Sequence, residues 1–251
     1  MTDEMVFGRE GRVVTMTMSR PAKKNALTLK MYRAMTAALL EADADDEVRV
    51  VFWSGSEGCF TSGNDLRDFA NPDADLSAVL EFLDALRGLR KPLVVAVSGL
   101  AIGIGTTALL HADLIYAAPN AKFKLPFVDL GLVPEAASSF LLPAAIGAAR
   151  ASRMLLMGES VDAATAERWG LVSQVCTEGS VETYGLAQAE RLAARAPEAV
   201  RKTKALMKRW DAERVAKISH AEAVVFEACL RGPETAEALR AFAEKRAPSF
   251  D

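Results

Sequence analysis

The chain has few of the residues that build covalent or metal-held sites: three cysteines and two histidines among 251 residues. Cys59, Cys176 and Cys229 show no paired spacing, and His111 and His220 stand far apart, so the sequence supports neither a disulfide framework nor a clustered zinc site. A reducing, cytoplasmic setting is the simplest expectation. Long apolar runs are also missing. The longest, Pro92 to Val97, is strand length and far short of a bilayer span. The acidic start, Met1-Thr2-Asp3-Glu4-Met5, lacks the apolar segment of an export signal. Nor is there a basic excess. Lysine and arginine number 30 against 33 acids, for a formal net charge of −3 with the signs mixed along the chain, so neither nucleic acid nor a membrane surface is expected as a partner. Two local clusters, Arg20 to Lys24 and Arg201 to Arg209, are the places where an anion or plain solvent would be met.

What is present is apolar substance, 51% of residues, enough for one large domain or a domain with an appendage, stable without cofactor or disulfide. Val13 to Met18 alternates as a strand and ends at Ser19-Arg20-Pro21. Thr28 to Asp43 carries Leu29, Tyr32, Met35, Leu39 and Leu40 at helical spacing, with Thr28 placed to cap it. Strands are expected at Val48 to Trp53, Pro92 to Ser98 and Leu114 to Tyr116, with helices at Leu76 to Leu89 and Thr106 to His111 and a polar segment around Asn71-Pro72-Asp73. From Ser138 the pattern turns helical: Ser139 to Ile146, Ala148 to Met157, Ala163 to Trp169, Thr183 to Ala194, Pro197 to Arg209, Ala212 to Leu230 and Pro233 to Lys245, with Gly158, Gly170 and Gly232 as stops. The last three helices are free to pack on the core or on another subunit.

Three separated pieces carry chemistry. Phe60-Thr61-Ser62-Gly63-Asn64-Asp65-Leu66 and Gly99 to Gly105 are glycine-punctuated turns that can each aim a backbone N–H at one developing oxyanion, and Val133-Pro134-Glu135 supplies a lone carboxylate to move a proton beside it. Taken singly, each has a plainer reading: tight turns, and a glutamate at the start of a helix from Ala136. A dinucleotide fingerprint at Gly103-Ile104-Gly105 is set aside, because Ala108 stands at its third glycine position.

With these pieces the chain resembles the crotonase (enoyl-CoA hydratase/isomerase) superfamily along essentially its whole length. The resemblance is carried in order by Arg20-Pro21 with Asn25-Ala26-Leu27, Phe60 to Leu66, Ala96 to Gly99 through Asp113 to Ala117, Gly131 to Pro134, Gly158 to Val161, Ala166 to Val172, and Phe242 to Pro248. It implies an α/β fold, a spiral of ββα units over residues 1–195 with a C-terminal helical trimerisation region over 196–251. It also implies an acyl-CoA thioester substrate, coenzyme A entering only as part of that substrate, and assembly as a homotrimer or a hexamer of two trimers. The oxyanion donors become the N–H groups of Asn64 and Ile104. Hydratases of the family use two glutamates; the matching positions here read Thr107 and Phe127. Glu135 instead matches the single catalytic glutamate of the peroxisomal-type Δ3,Δ2-enoyl-CoA isomerases, so isomerisation of a 3-enoyl thioester is the expected activity. A hydratase, another thioester-enolate enzyme, and a non-catalytic acyl-CoA or RNA-binding homologue are the alternatives. Along the coenzyme A the resemblance places Lys24, Ala26, Ser62, Asn64, Asp65, Leu66 and Lys245, with Phe242 beside the last. Asp65 has a second reading, as the residue that fixes its own turn. The apolar stripe between Leu76 and Leu89 reads as core packing, while the resemblance implies that Leu66, Phe69, Leu80 and Leu83 border the acyl pocket and set chain length. Asp129 reads either as a second acid near the pocket or as a loop hydrogen bond or trimer contact, and His111 reads as a satisfied core histidine.

Overall fold

The computed structural model describes residues 4–69, 71, 74–177, 179–209 and 211–250, with the Phe69 side chain excepted. Met1 to Asp3 of the acidic start, and Pro72 and Asp73 of the polar segment, lie outside the described residues.

The chain opens with a hairpin of β1 (Met5–Glu10) and β2 (Val13–Met18), then α1 (Leu29–Ala44), β3 (Val50–Gly55), α2 (Leu66–Phe69) and α3 (Ser77–Gly88). It continues through β4 (Leu93–Val97), β5 (Leu100–Ile102), α4 (Ile104–Thr107), β6 (Leu114–Ala117) and β7 (Lys122–Lys124). The helical half runs α5 (Ser138–Ile146), α6 (Ala148–Met157), β8 (Val161–Asp162), α7 (Ala163–Trp169), β9 (Gln174–Val175), α8 (Val181–Ala193), α9 (Pro197–Lys208), α10 (Ala212–Leu230) and α11 (Pro233–Glu244).

Six strands form one sheet in the order β1-β2-β3-β4-β6-β9, parallel apart from the hairpin. Its central strands β3 and β4 are buried on both faces, and the period of two sorts their side chains. Val51, Trp53, Val95 and Val97 face the main core with α1 and α3; Val50, Phe52, Val94 and Ala96 face α8 through Val181, Ala189 and Ala193. A second layer holds β5-β7-β8. Single bridges extend it, Leu27 to Asn64 and Thr61 to Ala101. Four of the large-sheet strands are therefore followed by a short extended piece in the second layer: β2 by Leu27, β3 by Thr61 to Asn64, β4 by β5, β6 by β7. This is the ββα spiral that the family resemblance implied.

Thr28 caps α1 as expected, its hydroxyl accepting from Met31 N at 3.2 Å, and the buried stripe Met31, Tyr32, Met35, Leu39 and Ala42 faces the core. Tyr32 packs there on Phe82 at 5.3 Å, and Phe82 on Trp53 at 5.8 Å. Several boundaries differ from the sequence expectation. The helix expected from Thr106 begins at Ile104 and tightens into a 3-10 turn over Ala108–His111. Gly232 opens α11 as its N-cap instead of closing α10. No helix starts at Ala136, since Ala136 and Ala137 both adopt left-handed backbone and α5 begins at Ser138. The last three helices lie on the core: Lys204 of α9 donates to Lys91 O at 2.7 Å, Glu222 of α10 reaches the start of α5, and Thr235 of α11 donates to Gly131 O at 3.0 Å.

Candidate active site

The first of the two turns expected to hold an oxyanion, Phe60 to Leu66, is laced to the preceding loop. Asn25, wholly buried, accepts from Arg20 N at 2.7 Å and donates to Ser56 O at 3.1 Å and Cys59 O at 2.6 Å, while its own carbonyl accepts from Thr61 Oγ1 at 2.6 Å. Ser62 N donates to Lys24 O at 2.9 Å. Leu27 pairs with this turn through Gly63 O and Asp65 N, each at 2.8 Å. In a parallel bridge that pattern turns the N–H of the intervening residue, Asn64, away from its partner strand.

Ile104, expected as the second donor, is the first residue of α4, and first-turn N–H groups have no intrahelical acceptor. The two turns touch. A methyl group on Gly63 would stand 2.9 Å from Ile102 O, at a φ of +92° that side chains resist; one on Gly105 would stand 2.4 Å from Thr61 Cγ2. Only glycine lets the turns approach so closely.

Glu135 lies against the same helix. Thr107, one turn beyond Ile104, donates its hydroxyl to Glu135 Oε1, while Glu135 Oε2 is buried with no hydrogen-bond partner. An unpaired carboxylate oxygen in an apolar enclosure is costly when charged. Burial accordingly pushes the Glu135 carboxyl up to about 8; the Thr107 bond opposes the rise and the charge of Glu222 adds to it. Tyr32 closes the circuit: its buried phenol donates to Asn64 Oδ1, and burial, then the nearby Glu135 charge, raise its pKa well above the ordinary value.

The segment carrying Glu135 is strained and tied at several points. Ala136 and Ala137 have φ of 60° and 58°, which costs about 1 kcal/mol or more each for residues with a Cβ. Glu135 O accepts from Ser138 N at 3.0 Å and from Ser138 Oγ at 2.6 Å. Ala136 O accepts from His111 Nε2 at 2.8 Å, which assigns the proton to that nitrogen; burial lowers the His111 pKa to about 4 and keeps the ring neutral. The Glu222 carboxylate accepts from Ala137 N at 2.6 Å and Ser139 N at 2.9 Å.

The structure thus brings Asn64, Ile104 and Glu135 together, and adds Tyr32, Thr107, His111 and Glu222. Sequence reading had Tyr32 as one member of an apolar stripe and Thr107 only as a missing acid; nothing marked Glu222 in its helix. Asp65 serves its turn: Arg20 donates to it at 2.8 Å, Arg67 makes a two-pronged contact at 3.0 and 2.8 Å, and Arg67 N adds a bond of 3.1 Å. The Arg67 contact, more than the desolvation that opposes it, holds the Asp65 carboxyl well below the usual range. Lys24 is exposed at a left-handed position, and Ala26 O accepts from Arg20 at 3.0 Å. Leu66 opens α2. Lys245 and Phe242 are exposed at the end of α11, whose described contacts are with α10 and the turn at Val128–Leu130. Leu83 is buried and Leu80 exposed; the Phe69 side chain lies outside the described residues. Asp129 is exposed and paired with Lys124 at 2.9 Å. Much of the basic cluster of α9 turns inward, Lys204 onto Asp113 at 2.7 Å and Lys208 onto His111 O at 2.7 Å. Among the described residues no group of three metal-binding side chains occurs, and no helix is long and apolar enough to cross a membrane.

Comparison with known proteins bears on this arrangement. The sequence model of the enoyl-CoA hydratase/isomerase family matches residues 8–251. The chain belongs to that family. Among its relatives, enoyl-CoA delta isomerase 2 of Rattus norvegicus is 34% identical over 94% of this chain, which spans only 62% of the rat protein. The 2,3-dehydroadipyl-CoA hydratase of Escherichia coli is 31% identical over 98% of both chains. Among solved structures, an enoyl-CoA hydratase/isomerase of Pseudoalteromonas atlantica superposes with a TM-score of 0.95 at 40% identity, covering 99% of this chain and 100% of that one. The OdaA protein of Pseudomonas aeruginosa gives 0.93 at 42%, covering 96% and 99%. The fold is that of the crotonases, and relatives carrying isomerase and hydratase names lie at similar distances.

Proposed function

We propose that this family member is a Δ3,Δ2-enoyl-CoA isomerase, and the observation that carries the reading is the half-tethered Glu135. One oxygen is held by Thr107 and the other is buried without a partner, at a pKa suited to taking a proton and giving it back. The thioester oxygen accepts from the N–H groups of Asn64 and Ile104. Glu135 removes a proton from C2, the electron pair moves into a conjugated dienolate whose negative charge rests on that oxygen, and the same carboxyl returns its proton to C4. The product is the 2-trans-enoyl thioester, and the enzyme is regenerated without loss of atoms. Preorganised donors stabilise the dienolate more than the ground state, each worth roughly 10²–10³ in rate.

Hydration needs a second group, one to activate water and one to protonate carbon. At the positions where hydratases carry their acids this chain has a hydroxyl engaged with Glu135 and a buried phenyl ring, Thr107 and Phe127. The isomerase names of the rat relative and of a mouse relative agree with the reading, whereas the hydratase name of the Escherichia coli relative does not. Coenzyme A, as part of the substrate, lies along Lys24, Ala26, Ser62 and Leu66, with Lys245 at its nucleotide end. Asp65 supports this run from behind. We place the enzyme in the cytoplasm as a trimer or a pair of trimers, with no added cofactor.

The test follows 3-hexenoyl-CoA conversion to the conjugated thioester beside hydration of crotonyl-CoA. Fast isomerisation with negligible hydration is expected, and Glu135→Gln is expected to lower isomerisation about 10³-fold. Unchanged turnover in that variant removes Glu135 as the base; dominant hydration makes the protein a hydratase.

A further inference from the structure

Glu222 stands in α10, inside the region that the family resemblance assigned to assembly, yet its carboxylate is buried beneath the segment that presents Glu135. Its two oxygens accept separately, Oε2 from Ala137 N and Oε1 from Ser139 N. Those N–H groups belong to the N-cap residue and the second residue of α5, an end that lacks a side-chain cap of its own. Consecutive left-handed residues precede that end and are disfavoured in isolation, so the turn needs outside contacts to hold its shape. His111 supplies one, at Ala136 O, and Glu222 the other two. α10 is itself fixed over α5 by Arg214, which lies 4.3 Å from the centre of the Phe140 ring.

We infer that Glu222 is a positioning residue for the reaction: a carboxylate clamp, donated by the C-terminal helical region, that holds the Ala136-Ala137 turn left-handed and so aims Glu135 at Thr107 and the substrate. The inference rests on Glu135 as the base. The clamp acts on backbone next to Glu135 and on none of the residues assigned to coenzyme A, so it governs the chemical step and leaves substrate affinity alone. It also gives the C-terminal helices a part in catalysis within a single subunit.

The experiment compares Glu222→Ala and Glu222→Gln with wild type and Glu135→Gln in the full chain, reading kcat and KM for 3-hexenoyl-CoA and hydrogen exchange of the amides at 137 and 139. In Glu222→Ala both amides exchange about tenfold faster or more, as local opening becomes easier. Its kcat falls about tenfold to a hundredfold, with KM within about twofold of wild type, as expected when a reacting group is misplaced by a fraction of an ångström. Glu222→Gln keeps one acceptor oxygen and falls between; should the alanine variant fail to fold, the glutamine variant decides by the same readings. Unchanged exchange, unchanged kcat, or a loss carried by KM overturns the clamp. If Glu135→Gln keeps full turnover the proposed reaction fails, while exchange at 137 and 139 still tests the clamp on the backbone. If Glu135→Gln is inactive and the Glu222 variants behave as wild type, the clamp alone fails.

Discussion

The carboxylates of Asp65 and Glu135 are both shielded from solvent, and they are held in opposite ways. Asp65 meets two guanidinium groups and a backbone N–H; Glu135 meets one hydroxyl and has one oxygen left unpaired. The first is kept ionised and immobile, the second is kept ready for a proton. Burial is common to the two, so the difference lies in their partners. An acid saturated with cations builds a turn, whereas an acid starved of them can do chemistry beside it.

The largest effect that would break this contrast is in pH dependence. With Glu135 at about 8, isomerisation requires the ionised minority at neutral pH, so kcat/KM rises about tenfold per pH unit from pH 5 towards 8 and then levels. Stability runs the other way. A carboxyl whose folded pKa is raised above its ordinary value near 4.5 favours folding while protonated, and that contribution is lost as pH rises from about 4.5 to about 8. Glu135→Gln removes the proton from the balance, so its Tm should exceed wild type at pH 8 and match it at pH 4. A pH profile flat from 5 to 8 would place the carboxylate in an ordinary, solvated setting.

Next in size is Asp65. Replacing it with alanine takes one carboxylate from Arg20, whose side chain is only 12% exposed and keeps Glu4 at 2.8 Å and Ala26 O at 3.0 Å. Urea unfolding should register a loss of about 3 kcal/mol. Asp65 is lowered, so its stabilisation is present above about pH 4 and fades below it; the alanine variant should have a shallower acid limb. A middle-sized effect belongs to Thr107→Val, which keeps the shape and deletes the one bond that favours ionised Glu135. The pH profile of isomerisation should move to higher pH, with activity at pH 7 down about tenfold. An unshifted profile would mean that Thr107 does not tune the base.

How much of this was legible in the sequence depended on how local its causes are. α6, α7 and α10 appear with the expected ends, because glycines and helix-favouring runs mark them within a few residues. The strands β5 and β7, three residues each, and the bridges at Leu27, Thr61 and Asn64 exist only through pairing with distant chain, so no local pattern announced them. The hairpin strand β1 escaped for a similar reason: Arg9 and Glu10 pair well with Val14 and Val13 but read as solvent face. Of the candidate site residues, Asn64 and Ile104 stand out by the glycines beside them, and Glu135 as a lone acid and through the family resemblance. Glu222 does not, since an acid in the middle of an amphipathic helix reads as its wet face until α5 is laid across it. Tyr32 satisfied the apolar periodicity so well that its hydroxyl went unnoticed.

That hydroxyl supplies the smallest and sharpest test of the contrast. Tyr32 belongs to both sides of the site, donating to the Asn64 side chain while feeling the charge of Glu135. Tyr32→Phe keeps the ring packed at a tilt on Phe82 and deletes only the bond. Asn64 is still held through Leu27, whose two backbone bonds fix its neighbours Gly63 and Asp65, so the turn should loosen without collapsing. One neutral hydrogen bond is worth about 1 kcal/mol, which sets the expected fall in kcat at about three- to tenfold with KM unchanged. A drop of that size with an unshifted pH profile makes Tyr32 a brace for the oxyanion turn. A shifted profile with constant limiting kcat makes it a part of the Glu135 environment instead, and the two sides of the site would then be one electrostatic unit.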